Sequence, residues 1–205
     1  MATRSNATAR NQVLNMLKQD HKRAQQAFRD FSRMDGEDDE ERCRALVEQT
    51  CAELEVHAQL EEELFYPAAR SALAEDGEDL MNEADVEHMT FKMLIEQLKA
   101  MGPEDEKYGA TFTVLGEYIK HHIKEEEDEM FKELARVDLD WETLRSDMEQ
   151  SREELMEARG LQETEEAEPR ERSSSGSSAS KGSSASRSAG ESRPHAASKP
   201  SKDRS

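Results

Sequence analysis

Two stretches of the sequence decide the fold, HAQLEEELFYP at residues 57–67 and HHIKEEEDEMF at residues 121–131. In each stretch a histidine precedes a glutamate by four residues, and this spacing places both side chains on one face of a helix. The letters that begin at the two glutamates, EEELFYP and EEDEMFK, are also similar. One His-x-x-x-Glu is weak evidence in so acidic a chain, but the repeat indicates two related helical hairpins.

A single histidine precedes each of these His/Glu pairs at nearly the same distance. His21 lies 36 residues before His57, and His88 lies 34 residues before His122. In an antiparallel bundle, one lone histidine then lies on each of the first and third helices, and one His/Glu pair on each of the second and fourth. The pattern predicts that six side chains meet inside the bundle: His21, His57, Glu61, His88, His122 and Glu126.

Apolar residues elsewhere recur at three- and four-residue steps, as they do on the buried face of an amphipathic helix. The alternation typical of strands is absent, and glycine and proline are scarce before the C-terminus. We therefore predict an all-α protein that contains an up-down four-helix bundle. The expected helices run over about residues 6–34, from 38 to the mid-60s near Pro67, from Gly77 to Gly102, and from Pro103 to about 135.

The C-terminal part of the sequence divides into a helical segment and a tail. A fifth amphipathic helix is predicted over about residues 138–160, packed on the bundle or facing a partner protein. From Arg170 onward the chain has no Leu, Ile, Val, Phe, Tyr or Trp, so this segment cannot bury a core and is expected to be disordered. The expected units are a four-helix bundle over residues 1–135, an accessory helix over 136–162 and a disordered serine-rich tail over 163–205.

Charge is distributed unevenly along the chain. The sequence has 28 Lys and Arg against 47 Asp and Glu, a net charge of −19. Residues 170–205 contain eight basic and three acidic residues, a net +5, which leaves −24 for residues 1–169. Nucleic-acid binding depends on a surplus of positive charge. We expect no nucleic-acid partner for the folded part, whose negative field attracts cations.

The sequence also bears on the cellular compartment. No apolar run approaches the roughly 20 residues of a membrane helix, and the opening MATRSNATARNQ lacks the apolar core of a secretory signal. Cys43 and Cys51 lie on one predicted helix, about 12 Å apart, too far for a disulfide. We expect a reduced, soluble, cytoplasmic protein with no membrane partner.

Four stretches carry a family resemblance: DH at 20–21, HAQLEEELFYP at 57–67, EH at 87–88 and HHIKEEEDEMF at 121–131. Over about residues 10–135 they closely resemble the hemerythrin-like HHE cation-binding domain, and most of all its bacterial and mycobacterial four-His, two-Glu type. The resemblance implies a non-haem di-iron centre in a four-helix bundle. The four histidines would be terminal ligands, Glu61 and Glu126 would bridge the two iron ions, and an oxo or hydroxo bridge would complete the centre.

The chemistry of the residues agrees with this implication, because imidazole and carboxylate together suit iron, manganese or zinc. Oxygen-carrying members of the family use five histidines, whereas this sequence supplies four at the matching positions. The departure disfavours simple reversible oxygen carriage and favours redox chemistry at a more open site.

Neighbouring residues leave alternatives for the ligand set. His121 with Glu125 forms a second His-x-x-x-Glu, but it is rotated about 100° from the register of the repeat, which favours His122. Tyr118 lies one helical turn before His122 and is expected in the core or behind the ligands, with a fifth ligand as the alternative. Three acidic residues border the ligands and are expected to be surface charge, with orientation of the imidazoles as the alternative: Asp20, Glu62 and Glu125.

The pattern supports two main functional hypotheses. The first is a di-iron protein that binds or reacts with a small oxidant, namely oxygen, hydrogen peroxide or nitric oxide; whether it is an enzyme stays open. The second is an iron or oxygen sensor, or an iron-homeostasis protein, whose metal occupancy is reported to a partner protein through residues 138–160 or the tail. A structural bundle with a coincidental His/Glu pattern is the third interpretation.

Overall fold

The computed structural model describes residues 4–34 and 40–162. The described part is built from helices and connecting turns, which confirms the all-α prediction. The α-helices are α1 Arg4–Phe31, α2 Glu40–Leu60, α3 Tyr66–Leu73, α4 Glu78–Lys99, α5 Tyr108–Glu125, α6 Phe131–Leu134 and α7 Trp141–Ala158. Two π-helical turns, π1 Glu61–Phe65 and π2 Glu126–Met130, and a 3-10 turn, Ala74–Gly77, complete the order of elements. The predicted tail over residues 163–205 lies outside the described residues.

Four helical rods form the bundle. Because π1 joins α2 to α3 and π2 joins α5 to α6, each of these sets is one continuous rod, and the other two rods are α1 and α4. The contacts between rods run from α1 to α2, from α2 to α4, from α4 to α5 and from α5 back to α1. The rods therefore surround one interior, as in the predicted four-helix bundle.

Two apolar clusters fill this interior, one on each side of a layer of buried polar side chains. On α1, Leu17 belongs to the first cluster and Ala24 to the second, and the buried His21 lies between them. On α4, the buried His88 likewise separates Ala84 from Phe91. The apolar packing holds the polar layer in the middle of the bundle, away from solvent.

The fifth helix, α7, packs on the bundle beside α1. Its side chains Trp141, Met148 and Met156 are buried in the first apolar cluster. Asp140 caps the helix, since its Oδ1 accepts a hydrogen bond of 3.1 Å from the backbone N–H of Thr143. The sequence predicted that this helix packs on the bundle or faces a partner protein. In the structure it packs on the bundle.

Two helix boundaries differ from those expected near prolines. Pro67 does not end the second rod. It lies within α3, and the rod continues to Leu73. In an α-helix the proline ring clashes with the carbonyl four residues earlier, and the wider turn of π1 directly precedes this proline. The fourth rod begins at Tyr108 and not at Pro103, because Gly102 and Asp105 close a turn in which the backbone N–H of Gly102 donates to Asp105 Oδ2 at 2.7 Å.

Two findings bear on the expected compartment. Within the described ranges, no helix is both long and apolar enough to cross a membrane. Cys43 and Cys51 both lie on α2 and form no disulfide with each other.

Candidate metal centre

Both π-helical turns begin at the glutamates of the repeated motif, Glu61 in π1 and Glu126 in π2. A π turn inserts an extra residue into a helix and is found mostly at functional sites. After each glutamate, two consecutive residues of the rod are buried, Phe65 with Tyr66 in one case. The repeat in the sequence is therefore also a repeat of an unusual backbone geometry, which the spacing of apolar residues did not predict.

The structure brings the six predicted side chains together in the polar layer. Each is at most 4% exposed, as is required of groups enclosed by a bundle: His21, His57, Glu61, His88, His122 and Glu126. They form two overlapping groups whose ligand atoms lie within 4.8 Å of one another: His21, His57, Glu61 and Glu126 in one, and Glu61, His88 and His122 in the other. The two groups share Glu61, so the layer has the composition of two adjacent cation sites.

Glu61 lies between histidines of two rods. Its Oε2 is 3.2 Å from Nε2 of His57 and 3.4 Å from Nε2 of His88. His57 comes from the same rod, four residues earlier, whereas His88 comes from α4. A carboxylate placed in this way faces both groups of ligands at once.

Glu126 repeats this arrangement on the opposite side. Its Oε2 is 3.2 Å from Nε2 of His21 and 3.7 Å from Nε2 of His122. Its other oxygen, Oε1, accepts a hydrogen bond of 3.0 Å from the hydroxyl of Tyr66. That hydroxyl also lies 2.9 Å from Nε2 of His88. Tyr66 is therefore a further polar residue of the layer, one that sequence reasoning missed although it lies inside the quoted motif.

Five buried atoms of the layer make no hydrogen bond with any described residue: His21 Nε2, His57 Nε2, Glu61 Oε1, Glu61 Oε2 and Glu126 Oε2. Buried polar atoms are nearly always hydrogen-bonded, and leaving one unsatisfied costs about 1–3 kcal/mol. Bound cations would satisfy all five, and this mixed set of imidazole nitrogens and carboxylate oxygens suits iron, manganese or zinc. The residues present therefore fit a metal centre.

An outer ring of carboxylates holds the other nitrogen of each imidazole. The Nδ1 to oxygen distances are 3.4 Å from His57 to Asp20, 3.0 Å from His88 to Glu62, 2.9 Å from His122 to Glu87 and 2.8 Å from His21 to Glu127. Since an ionised carboxylate only accepts, each Nδ1 carries a hydrogen, and each Nε2 faces the centre. The histidines are thus oriented as metal ligands would be.

The ring closes around the bundle, because every carboxylate belongs to a different rod from the histidine that it holds. The links run from α1 to α2, from the α2 rod to α4, from α4 to α5, and from π2 back to α1. In each rod the carboxylate residue is the sequence neighbour of a predicted ligand. Sequence reasoning weighed Asp20 and Glu62 for this role and missed Glu87 and Glu127, for which that adjacency was the available signal.

The remaining alternatives of the sequence lie outside the centre. Tyr118 is 45% exposed on the surface, so both expectations for it, a residue in or behind the core and a fifth ligand, are wrong. Glu125 orients no buried imidazole and instead pairs with His121, whose side chain is 58% exposed. His122, and not His121, faces the interior.

The charges of the layer are strongly coupled. Burial and the charge of Glu126 raise the pKa of Glu61 well above its usual range. Burial acts to raise the pKa of Glu126 as well, but the imidazoles of His122 and His21 hold it well below its usual range. Burial lowers the pKa of His57 to about 4. The pKa values of the two glutamates are therefore shifted in opposite directions, with Glu61 the more basic of the pair.

His21 titrates in the opposite direction from His57. Burial lowers the pKa of His21, but contact with Glu126 and the charges of Glu61 and Glu127 outweigh burial and raise it to about 9. Imidazole must be neutral to bind a metal. At neutral pH a cation therefore has to displace one proton from this histidine.

A cavity of about 20 Å³ opens beside the centre, between α1, α2 and α5. This volume holds roughly one water-sized molecule. Three histidines of the centre form its inner wall, and apolar side chains form much of the rest: Ala24, Leu54, Ile119 and Ile123. Arg23 and Glu53 stand at its outer end, partly exposed. The cavity therefore reaches three imidazoles of the centre.

Comparisons with known proteins agree with this geometry. The family model of the hemerythrin HHE cation binding domain matches residues 12–134. A DNA nickase from Nostoc sp. is 26% identical over 120 residues, which are 58% of this chain and 32% of the relative, so the chain spans about a third of that protein. The crystal structure of a hemerythrin HHE cation binding domain-containing protein from Mycobacterium kansasii has a TM-score of 0.55 and 23% identity, and the match covers 68% of this chain and 86% of that one.

Proposed function

Because the chain belongs to the hemerythrin HHE cation binding domain family, we propose that it is a non-haem di-iron protein that binds or reacts with a small oxidant. The oxidant is oxygen, hydrogen peroxide or nitric oxide. The observation that carries the proposal is the buried layer of four histidines and two glutamates, with five polar atoms that make no hydrogen bond to any residue the structure describes. We place the protein in the cytoplasm, with the bundle over residues 1–135 as its metal-binding unit.

In this proposal the buried residues divide into terminal and bridging ligands. The four histidines supply one Nε2 each, and Glu61 and Glu126 lie between the two cation positions, because each faces histidines of two rods. When bound, two iron ions supply the electrons for oxidant chemistry and the open coordination positions for a small ligand.

The chain's own residues hold the centre in a fixed geometry and manage its protons. The outer carboxylates fix each imidazole by its Nδ1–H, so little reorientation is needed when cations bind. Loading removes the proton of His21, because its pKa of about 9 keeps this histidine protonated in the metal-free chain at neutral pH. The small cavity beside the histidines has room for roughly one water-sized molecule, which favours a small oxidant over a larger substrate.

The proposal is tested by loading the full chain with iron(II) in the absence of oxygen. We expect about two iron ions per chain, and absorption bands in the near ultraviolet that appear on exposure to oxygen or peroxide. The variants His57→Ala and Glu126→Ala should lose iron, whereas the surface variant Tyr118→Phe should retain it. Binding of a single zinc ion with no response to any of the oxidants contradicts the proposal.

A second candidate function is that of a metal sensor, and a specific contact favours it. Arg152 of α7 donates to both oxygens of Asp20, at 2.7 and 2.9 Å, and Asp20 lies 3.4 Å from Nδ1 of His57. A side chain of the accessory helix is therefore two contacts away from the centre. Hydrogen exchange of α7 with and without bound cations tests this candidate, since a sensor requires that protection of α7 change with occupancy.

The relative from Nostoc sp. is named as a DNA nickase, but we do not extend action on DNA to this chain. The match covers about a third of that protein. Residues 1–169 carry a net charge of −24, which repels the phosphate backbone.

A further inference from the structure

A second His-x-x-x-Glu lies on the outer face of α5. Nε2 of His121 is 2.9 Å from Oε1 of Glu125, one helical turn later, and 3.5 Å from Oε1 of Glu87, which belongs to α4. These ligand atoms all lie within 4.8 Å of one another. In contrast to the buried centre, this group is open to solvent, because the side chain of His121 is 58% exposed.

Glu87 connects the surface group to the buried centre. Its Oε1 faces His121, and its Oε2 accepts a hydrogen bond of 2.9 Å from Nδ1–H of His122. The side chain of Glu87 is only 14% exposed, so it is held between the two histidines. One carboxylate therefore serves both the surface group and the orientation of a buried ligand.

The surroundings of the surface group favour a cation. The carboxyl of Glu125 lies in the field of three other acidic side chains, those of Glu83, Glu87 and Glu129. The excess of negative charge on residues 1–169 acts in the same direction. The field would concentrate divalent cations here, and the imidazole gives the site a nitrogen ligand that a plain acidic patch lacks.

We propose that His121, Glu125 and Glu87 form a further binding site for a divalent transition-metal ion, such as zinc, manganese or iron(II). Three protein ligands from two helices hold the ion, and water completes its coordination. The ring of His122 separates this outer site from the buried centre. An ion in the outer site draws the carboxylate of Glu87 toward itself and so weakens its hold on His122. This last coupling rests on the proposed function, whereas the outer site itself does not.

Equilibrium dialysis of the full chain against zinc(II) tests the proposal. The native chain should bind one more zinc ion than the variants His121→Ala and Glu125→Gln, or should bind that ion at least tenfold more tightly. Two matched controls should keep the native number: His195→Ala removes a histidine of the tail, and Glu153→Gln removes an exposed carboxylate of α7.

The outcome does not depend on the buried centre. If His121→Ala and Glu125→Gln bind as many zinc ions as the native chain, with the same affinity, the outer site does not exist. If the variants lose one ion, the proposal stands, whatever number remains in the centre. If instead the proposed function is wrong, the remaining zinc ions bind to His57→Ala as they do to the native chain.

Discussion

Nδ1 of His21 lies 2.8 Å from Oε1 of Glu127, although the two residues are 106 positions apart in the sequence. The preceding residue, Glu126, faces the other nitrogen of the same ring, with its Oε2 3.2 Å from Nε2. Two consecutive glutamates of π2 therefore hold one imidazole from both ends. Glu61 and Glu62 hold His88 in the same way, at 3.4 and 3.0 Å.

Replacement of an outer carboxylate should weaken metal binding without removing a ligand. In Glu127→Gln the side chain keeps its shape but loses its charge, so Nδ1–H of His21 is held less firmly and Nε2 becomes a poorer donor. We expect metal affinity to fall about 10–100-fold. Competition with a chelator measures the change. The neighbouring variant Asp128→Asn alters an exposed carboxylate of the same turn and should bind as the native chain does. If Glu127→Gln binds metal as tightly as Asp128→Asn, Glu127 does not have this role.

The apparent metal affinity should rise with pH up to about 9. The pKa of His21 is raised to about 9 in the metal-free chain, so its proton is present at neutral pH and competes with the cation. This proton stabilises the folded, metal-free chain. The stabilisation is fully present below the ordinary histidine pKa of about 6.5 and is lost as the pH rises through about 9. Between these values affinity should increase up to about tenfold per pH unit for this one proton.

Zinc titrations at several pH values, together with calorimetry in two buffers of different ionisation enthalpy, measure this proton release. In His21→Ala the remaining binding should lose this part of its pH dependence. A native affinity that stays constant between about pH 7 and 9 contradicts the assignment.

The sequence predicted the members of the buried layer because helix geometry is local. His57 and Glu61 share a face at a spacing of four residues in any helix, and the repeat located the second pair. The partner of each Nδ1 depends instead on which rods are neighbours and on their offset along the bundle. Local spacing does not contain that information, and so Glu127 was not connected with His21.

The differences between the predicted and the observed backbone have another cause. Each π turn begins at a buried glutamate and ends at a buried apolar residue, so both kinds of side chain face the interior. No pattern of apolar residues distinguishes a π turn from an α turn. The late start of α5 at Tyr108 arises because Asp105 closes a turn with Gly102 and does not serve as a helix cap. The quoted motif includes Tyr66, but local spacing does not predict that its hydroxyl lies in the polar layer against Glu126.

Removal of the Tyr66 hydroxyl should destabilise the metal-free chain. Burial and the charges of Glu126 and Glu61 raise the pKa of Tyr66, so the neutral phenol donates its hydrogen to Glu126. Tyr66→Phe keeps the ring packing but leaves the carboxylate without this donor, and the free energy of unfolding should fall by about 1–3 kcal/mol. Urea denaturation measures the change. Tyr118→Phe, at an exposed position, should change it by less than about 0.5 kcal/mol, and an equal effect in both variants contradicts the buried contact.

Removal of the guanidinium of Arg152 should weaken metal binding, because Arg152 contacts Asp20 and Asp20 contacts His57. Burial acts to raise the pKa of Asp20, but hydrogen bonds with His57 and Arg152 hold it below its usual range. In Arg152→Met this carboxylate loses the two hydrogen bonds that fix its position, so it holds Nδ1–H of His57 less firmly. We expect about tenfold weaker metal binding, measured by chelator competition. Arg145→Met, which removes an exposed ion pair with Glu149 on the same helix, serves as the control and should leave affinity unchanged.

Narrowing the cavity beside the centre should slow the reaction with oxidants while the iron content stays at the native level. Ala24 lines the cavity and is only 6% exposed, and its methyl group makes no hydrogen bond to a ligand. Because the cavity holds roughly one water-sized molecule, the added atoms of Ala24→Val or Ala24→Leu should fill most of it. Stopped-flow rates with hydrogen peroxide should fall in the order native, valine, leucine, by at least about tenfold for leucine, which corresponds to about 1.4 kcal/mol in the barrier to entry.

The control Ala7→Leu places the same extra volume on α1 away from the cavity and should react at the native rate. Overpacking costs about 1–3 kcal/mol of stability, so each variant is compared only where its helix content and iron content match those of the native chain. Rates that are unchanged in Ala24→Leu mean that oxidants reach the centre by another path. Rates that fall equally in Ala7→Leu mean that the effect does not come from filling the cavity, because Ala7 does not line it.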